Sequence, residues 1–351
     1  MTTTTNKKRI LSGMRATGRL HLGNFVGALE NWVKMQGEYE NYHLVADWHV
    51  LTTDAEHTDQ ILPNTIEMVR DWLSAGIDPN ISPMFRQSQV KEHAELHLLF
   101  SMLVTQSRLE RNPTLKDQIR DLRDKLQARD IADKDRPDNE VTDSGLVTYG
   151  HLGYPVLQAA DILLYKGNVV PVGEDQLPHV EITREIARRF NRYYGEVFPE
   201  PTGYVLKESK FSRLPGSDGK RMSKSLGNTI YLSDSEEETG KGIMSMVTDV
   251  QKVRRNDPGR PEVCNVFTYH QKFNPDEIPQ IETDCKSGEL GCVACKKNCA
   301  AKLNAYLAPM RERRQQYDDN AVMDILTAGE AKARAVAQDT MIQVRDAMNF
   351  G

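Results

Sequence analysis

Two short segments of the chain hold residue types that bind phosphate groups. The first, residues 17–24 (TGRLHLGN), places a histidine and an amide among glycines just after an apolar run. A helix that begins here would present unpaired N–H groups and a positive dipole end, both of which favour an anion. His21 is a candidate donor to a phosphate oxygen that gains negative charge during reaction, and Asn24 to a neighbouring oxygen or a ribose. Both are therefore candidate catalytic residues.

The second segment, residues 220–228 (KRMSKSLGN), carries cations and hydroxyls on a loop that ends in glycine. Lys224 lies between two serines, and on a mobile loop its charge could follow a departing pyrophosphate. Taken alone, the first segment could be a helix start with a surface histidine, and the second a solvated basic loop. Taken together, they predict a site for a nucleoside triphosphate, with His21, Asn24 and Lys224 as its catalytic residues.

An alternation of strand and helix patterns would position these segments. Apolar runs predict strands, and apolar residues at helical spacing follow the first of them. This rhythm indicates an α/β fold with a doubly wound, Rossmann-type parallel sheet, whose ligands bind beyond the carboxyl ends of the strands. Strand patterns nearly vanish after residue 230, so we expect a mostly α-helical C-terminal domain. The predicted strands lie near residues 10–11, 42–47, 82–88 and 169–173.

The same patterns divide the chain into three parts. Residues 1–228 are predicted to form the catalytic domain, with a mobile insertion at 107–143 that is charged and poor in apolar periodicity. Residues 229–325 are predicted to form the helical domain, and 326–351 a helix that packs back on the catalytic domain. At 351 residues the chain is long enough for two domains with separate cores.

Composition and charge narrow the class of protein. We find no apolar run of the roughly 20 residues that a membrane helix needs, and no signal peptide at the start. A cytoplasmic enzyme that does not bind a membrane is the expectation. The net charge of -5 does not indicate general nucleic-acid binding, so any RNA contact must be local. The candidate basic clusters, each of which could equally be a solvated helix face, are Arg254 and Arg255 with Arg260, Lys296 with Lys297, and Arg311 with Arg313 and Arg314.

All five cysteines lie between residues 264 and 299, with the spacing C-x20-C-x6-C-x2-C and one more cysteine behind. In a cytoplasmic protein such clustering favours a metal over disulfides. Four thiolates suit a tetrahedral zinc ion and a four-iron cluster equally well, and reduced thiols without a metal are the third alternative.

The motifs resemble those of a known enzyme family. Residues 21–24 and 221–225 are similar to the two signature motifs of class I aminoacyl-tRNA synthetases, and residues 154–165 (YPVLQAADILLY) with 170–176 (VPVGEDQ) resemble the tryptophanyl enzymes. The resemblance covers residues 10–350. It implies that tryptophan reacts with ATP to give tryptophanyl-adenylate and pyrophosphate, and that tRNA(Trp) then takes the tryptophanyl group. Arg221 replaces the family's usual lysine, and Asn24 replaces a histidine.

The resemblance also implies a set of binding residues. Asp161 would accept the single N–H of the tryptophan ring, which Val170 and Val172 would flank. Tyr154, Gln158 and Gln176 would contact its amino group and ring edge, and His49 is either a further contact or structural. Lys116, in the insertion, is a candidate phosphate contact. The implied ATP-binding residues are Arg15, Ala16, Thr17, Gly23, Asn24, Gly173, Glu174, Asp175, Arg221, Met222, Ser223, Lys224 and Ser225.

The cysteine run resembles that of tryptophanyl synthetases with a [4Fe-4S] cluster in the anticodon-binding domain. The implied ligands are Cys264, Cys285, Cys292 and Cys295, with Zn²⁺ as the alternative metal, while Cys299 has no counterpart. Mg²⁺ with the ATP phosphates, L-tryptophan and tRNA(Trp) as partners, no DNA, and a homodimer follow from the same resemblance. The alternatives are a tyrosyl-tRNA synthetase, a small-molecule nucleotidyltransferase and an inactive paralogue that binds RNA.

Overall fold

The computed structural model describes residues 7–117, 119–120, 147–205 and 214–350. Its sheet has five parallel strands in the order β3-β2-β1-β4-β5. The chain winds outward from β1 to β3 and then returns to place β4 on the other side of β1, so the sheet is doubly wound, as predicted. The strands are β1 (Arg9–Arg15), β2 (Glu40–Ala46), β3 (Met84–Arg86), β4 (Val169–Pro171) and β5 (Thr202–Tyr204).

Both faces of the sheet are covered. Neighbouring residues of a strand point to opposite faces, and Leu44 and Val45 accordingly belong to two different apolar cores. Nearly all of β2 is therefore buried, as is typical of a strand with a helix layer on each side. The helices that form these layers within the catalytic half are α1 (Leu22–Asn24), α2 (Glu30–Met35), α3 (Asp47–Leu51), α4 (Ile61–Ala75), α5 (Glu92–Ser101), α6 (Gln106–Glu110), α7 (Tyr149–Leu164) and α8 (Leu177–Tyr194).

The described residues after the sheet are largely helical, which confirms the predicted fold class. Among all described residues, no helix has the length and apolar character needed to cross a membrane. The division into domains at residues 228 and 325 stays a prediction. The helices of this half are α9 (Glu236–Ser245), α10 (Asn265–Phe273), α11 (Ile278–Ser287), α12 (Cys292–Arg314) and α13 (Asp319–Ala347).

The last helix, α13, lies against the catalytic sheet at β3. Glu330 of α13 accepts hydrogen bonds from Arg86, at 2.6 and 3.2 Å, and both side chains are largely buried. One residue earlier, Gly329 approaches the backbone of Met84 so closely that a Cβ atom would lie 1.9 Å from the Met84 carbonyl oxygen. The absence of a side chain at Gly329 is what allows this contact between helix and strand.

Gly329→Ala is therefore expected to destabilise the protein by about 1–3 kcal/mol or more, because neither backbone can move without repacking the core. The free energy of unfolding in urea measures the effect. Gly240 in α9 is the matched control, since a Cβ there would meet no atom within 4 Å. Gly240→Ala should be neutral or stabilising, because alanine is favoured over glycine inside a helix by about 1 kcal/mol. Equal stabilities of the two variants would contradict this account.

The predicted insertion at 107–143 begins within packed structure. Leu109 and Leu115 are buried, and the Thr114 hydroxyl donates to the Asp175 carbonyl oxygen at 2.9 Å. Lys116, exposed and two residues from Thr114, thus belongs to a segment that contacts the 173–176 turn. Residues 118 and 121–143 of the predicted insertion lie outside the described residues.

Candidate active site

The first predicted phosphate-binding segment follows β1, and a helix begins there with His21 as its N-cap. The Nδ1 atom of His21 accepts a hydrogen bond from the Asn24 backbone N–H at 3.2 Å, and Asn24 Oδ1 accepts from the His21 backbone N–H at 3.2 Å. This reciprocal cap fixes both side chains on the first turn. A Cβ at Gly23 would lie 3.0 Å from two atoms of the imidazole, so the ring needs glycine at this position.

The protonation of His21 suits a hydrogen-bond donor. Burial lowers its pKa to about 4, and the positive charges of Lys224 and Arg221 act in the same direction. The imidazole is therefore neutral at pH 7 and carries one proton. Since Nδ1 accepts the Asn24 N–H, we assign the proton to Nε2. His21 can thus donate from Nε2 to a phosphate oxygen without being charged.

Asn228 shapes the second segment from within. Its Oδ1 accepts from the Ser223 N–H at 2.8 Å, while its Nδ2 donates to Asp218 Oδ1 at 2.7 Å and to the Arg221 carbonyl at 3.1 Å. Asn228 is buried, and the turn that it holds exposes Arg221 and Ser225. The hydroxyls of Ser223 and Ser225 lie 2.8 Å apart. Asn228 is the last residue of the second segment, but it is not among the predicted site residues.

Backbone pairing brings the two segments together. The Leu22 N–H donates to the Ile230 carbonyl at 2.9 Å, and the Leu232 N–H donates to the Leu20 carbonyl at 2.9 Å. Lys224 Nζ then donates to the Thr17 carbonyl at 2.6 Å. The buried Met222 side chain also faces the first segment, since its sulfur would lie 3.5 Å from a Cβ at Gly23. The structure therefore brings the segments of His21, Asn24 and Lys224 together.

A buried ion pair that sequence reasoning missed supports this site. Asp71 of α4 accepts from the Leu20 N–H at 2.7 Å and from Arg314 Nε at 2.9 Å. Burial raises the pKa of the Asp71 carboxyl, against the opposing effects of these two donors. Its charge also acts on Lys224, whose pKa burial lowers and Asp71 raises. Arg314 was predicted as part of a basic cluster, but it serves the catalytic half of the chain.

The other predicted ATP-binding residues lie where the sheet reverses its strand order. β1 and β4 are neighbours, and beyond their carboxyl ends lie the buried Ala16 and the exposed turn 173–175. Arg15 donates from Nη2 to the Val50 carbonyl at 3.2 Å and also to the Thr53 hydroxyl. This crevice is the usual ligand site of a doubly wound sheet.

Asp161 lies on α7 and is 2% exposed. Its Oδ1 accepts from Gln87 Nε2 and from His93 Nδ1, both at 2.7 Å, and its Oδ2 lies 3.0 Å from His49 Nε2. Burial raises the pKa of this carboxyl, but the hydrogen bonds from His49 and His93 outweigh it and hold the pKa well below its usual range. Asp161 is thus ionised and already bound by three protein donors. Gln87 and His93 were not among the predicted site residues.

A second histidine joins two predicted tryptophan contacts. His179 Nε2 lies 2.6 Å from the Tyr154 hydroxyl, and His179 Nδ1 lies 2.9 Å from Gln176 Oε1. Burial lowers the pKa of His179 to about 4, so the ring is neutral and links the two residues. His179 was not among the predicted site residues, although it lies three residues after Gln176, on the same turn at the start of α8. Of the remaining predicted contacts, Gln158 and Val172 are half-buried and Val170 is buried.

The cysteines group at the start of α12 and around it. Burial, and then the negative charges of Cys264, Cys285 and Cys292, raise the pKa of Cys295 to about 12, which shows that these thiols influence one another. Among the residues that the structure describes, no three Cys, His, Asp or Glu side chains are close enough to hold a metal ion. Cys299 is buried in the same apolar core as Val45 of β2. The metal stays a prediction.

Comparisons with known proteins identify the family of the chain. Residues 3–308 match the family of class I tRNA synthetases for W and Y. The chain is 45% identical to the tryptophan–tRNA ligase of Aquifex aeolicus, with 97% of this chain and 100% of the relative covered. It is 49% identical to that of Thermotoga maritima, with 97% and 99% covered.

A solved structure is similar over nearly its whole length. The tryptophanyl-tRNA synthetase of Campylobacter jejuni, complexed with ADP and tryptophan, has a TM-score of 0.82 at 32% identity, with 97% of this chain and 99% of that chain covered. The sequence, the fold and the paired segments at the switch point thus agree. The chain belongs to the class I aminoacyl-tRNA synthetases, in the tryptophan–tRNA ligase family.

Proposed function

We propose that this protein attaches L-tryptophan to tRNA(Trp) in two steps. The tryptophan carboxylate attacks the α-phosphorus of ATP and forms tryptophanyl-adenylate and pyrophosphate, and the terminal ribose hydroxyl of tRNA(Trp) then takes the tryptophanyl group. The observation that carries the proposal is the pairing of the Lys224 segment with the His21 turn beside the switch point of the sheet. Positioning and charge stabilisation would supply most of the rate.

The proposed ATP site uses the two segments differently. His21 and Asn24 are fixed by their reciprocal cap, and so would hold the reacting phosphate in one place. Lys224 lies on a turn and would move from the Thr17 carbonyl to the pyrophosphate as charge develops there. The other proposed ATP contacts are those implied by the resemblance, and Mg²⁺ would enter with the triphosphate. Arg221 would keep the charge of the usual lysine but present a planar fork.

The proposed amino-acid site is centred on Asp161. Its ionised carboxylate would accept the indole N–H, while Val170 and Val172 flank the ring. Tyr154 and Gln176, joined through His179, would contact the amino group and ring edge, with Gln158 beside them on α7. The hydrogen bond between His49 and Asp161 favours a role for His49 at this site.

Exchange of pyrophosphate with ATP tests the first step, with tryptophan and tyrosine assayed in parallel. Tryptophan-dependent exchange is expected, and exchange with tyrosine alone, or with neither, would overturn the proposal. Charging of tRNA(Trp) tests the second step. Exchange without charging would identify a nucleotidyltransferase that makes the adenylate alone, and tRNA binding without exchange would identify an inactive paralogue.

We propose that the anticodon loop of tRNA binds beside the cysteines. A cleft of about 540 Å³ is lined there by Cys292, by exposed valines and by four cations. Cations that neutralise phosphates would make binding weaken with salt. The Arg255→Ala variant should raise KM for tRNA and leave pyrophosphate exchange unchanged. The four cations are Lys252, Arg254, Arg255 and Lys297.

We propose that Cys264, Cys285, Cys292 and Cys295 hold a [4Fe-4S] cluster, with Zn²⁺ as the alternative. The chemistry of the donor set fits, because burial raises the pKa of Cys264, Cys285 and Cys295, and a bound cation would stabilise their thiolate forms. Bound there, the group would cross-link the segment before α10 to α11 and α12. It would thereby stiffen the RNA-facing surface.

Protein purified without oxygen is expected to contain iron and to absorb visible light, and Cys292→Ala should lose both. Zinc without visible absorbance would instead support the zinc site. If the wild type contains neither iron nor zinc, the four cysteines are reduced thiols and the proposed metal site is wrong. Cys299→Ala is the matched control and should retain the metal, since Cys299 packs in the apolar core.

We also propose that the protein is a cytoplasmic homodimer. Leu98 and Met102 at the end of α5 are 54% and 71% exposed, and Tyr149, at the start of the adjoining α7, is 71% exposed. A second copy of the chain would cover this apolar surface. Light scattering should give twice the mass of one chain for the wild type, and a monomer for Met102→Glu.

A further inference from the structure

A chain of buried hydrogen bonds lies behind the Asp161 carboxylate. The Tyr165 hydroxyl lies 2.9 Å from His93 Nε2, and His93 Nδ1 lies 2.7 Å from Asp161 Oδ1. Tyr165 and His93 are each 0% exposed. The three residues come from α5, from α7 and from the residue that ends α7, so the chain of bonds joins two helices across the core.

The protons of this chain can be assigned. Burial, and then the charge of Asp161, raise the pKa of the Tyr165 hydroxyl, which therefore keeps its proton. The hydroxyl donates to His93 Nε2, which must then accept, so the N–H of the ring lies on Nδ1 and points at Asp161 Oδ1. Tyr165 thus selects the tautomer in which His93 donates to the carboxylate.

The two carboxylate oxygens differ in what they can still bind. Oδ1 accepts from His93 and from Gln87, which is also 0% exposed. Oδ2 is bonded to His49 alone among the described residues, and the His49 side chain is 11% exposed, against 0% for His93. The accessible side of Asp161 is therefore the side of Oδ2 and His49.

We propose that His93, oriented by Tyr165, is a specificity-positioning residue of the amino-acid site. With Gln87 it occupies Oδ1 and keeps the carboxylate ionised in one orientation. The substrate N–H then binds at Oδ2, where it replaces the hydrogen bond from His49. An ionised carboxylate can accept but cannot donate, so the site selects a ring that carries a donor. This inference rests on the proposed function and assigns residues that stand behind Asp161 and do not touch the substrate.

The test compares L-tryptophan with its benzothiophene analogue, in which sulfur replaces the indole N–H. The ratio of the two kcat/KM values in pyrophosphate exchange measures the selection for a donor. A site built to accept such a donor rejects an analogue that lacks it strongly, by up to about 10⁴-fold. In His93→Phe the ratio should fall about tenfold or more, with KM for ATP unchanged, whereas His93→Gln should retain most of it because an amide can still donate.

His43→Phe is the matched control. His43 is also 0% exposed, but it stacks on Trp32 and is not hydrogen-bonded to Asp161, so its replacement should leave the ratio unchanged. If both substrates lose activity equally in His93→Phe, then His93 is only structural and the inference fails. A wild type without tryptophan-dependent exchange would instead refute the proposed function.

Tyr165→Phe tests the same inference should His93→Phe not fold. It removes one hydroxyl and keeps the ring that stacks on Tyr42. The ratio should fall about threefold or more, as expected for the loss of one hydrogen bond that orients the imidazole. An unchanged ratio in a folded Tyr165→Phe variant would contradict the role assigned to Tyr165 and His93.

Discussion

Lys224→Ala is expected to lower kcat for ATP–pyrophosphate exchange about 10²- to 10³-fold, as does the loss of other groups that stabilise charge in a transition state. Lys224 Nζ reaches across to the His21 turn, where it donates to the Thr17 carbonyl at 2.6 Å. The departing pyrophosphate would gain charge at this place, and alanine offers nothing to balance it. KM for tryptophan should change little, because Lys224 is not part of the proposed amino-acid site.

Lys220 provides the control for this prediction. It belongs to the same segment and is exposed, and its backbone N–H, which any residue would retain, donates to Asp218 Oδ1 at 3.0 Å. Lys220→Ala should therefore leave kcat unchanged. This result would show that removing any positive charge from the segment is not enough to lower kcat. Lys224→Arg should recover part of the rate, since it keeps the charge but changes its shape. A kcat for Lys224→Ala close to that of Lys220→Ala would contradict the proposed role of Lys224.

Residue types and local spacing were enough to select the two segments that are proposed to bind phosphate, but not to predict how these segments meet. A histidine and an asparagine three residues apart at a helix start are a local pattern. The pairing of Leu22 with Ile230 is not, because it joins residues far apart in the chain and depends on how the helical half packs. The cap at His21 is local, since it joins residues three apart, but its use of Asn24 Oδ1 was not predicted from the sequence.

The partners of Asp161 likewise come from distant parts of the chain, so sequence spacing could not predict them. A carboxylate in an apolar helix predicts a buried partner, and sequence reasoning expected that partner to be the substrate. The structure adds His49, Gln87 and His93, which come from three separate elements that converge only when the sheet forms. No short sequence pattern contains all of them.

Within the fold, the strength of the local pattern decided which elements could be predicted. The buried β2 contains Tyr42 and the apolar run of residues 44–46 and was predicted, whereas β5 is three residues long, contains a glycine and is largely exposed. Likewise, the helical spacing after Gly23 predicted a helix but not the π-helical turn at Phe25–Leu29 within it. Such a turn inserts a residue without changing which residues are apolar.

Asp71 links the helical half of the chain to the catalytic turn. It is 0% exposed and accepts from the Leu20 N–H, directly before His21, while its other oxygen accepts from Arg314 at the end of α12. The first turn of the same helix carries Cys292 and Cys295. One helix thus runs from the cysteines to Arg314, and Asp71 connects Arg314 to the residue before His21.

Asp71→Ala is expected to reduce the free energy of unfolding by about 1–3 kcal/mol or more, because it leaves the Leu20 N–H without an acceptor and Arg314 with Glu67 as its remaining carboxylate partner among the described residues. Urea unfolding measures this loss. Asp319→Ala is the control, since Asp319 also pairs with an arginine, Arg70, but the Asp319 side chain is 74% exposed and Arg70 keeps its ion pair with Glu67, so the loss should be about 1 kcal/mol or less. Similar losses in the two variants would contradict the structural role of Asp71.

Asp71→Asn separates the anchoring of Leu20 from the ion pair. The amide oxygen can still accept from the Leu20 N–H, but the negative charge that faces Arg314 and raises the pKa of Lys224 is gone. Asp71→Asn should therefore lose stability and yet retain more of kcat for exchange than Asp71→Ala, when both are assayed where they are folded. Equal losses of kcat would mean that the charge on Asp71, rather than its hold on the residue before His21, is what the reaction requires.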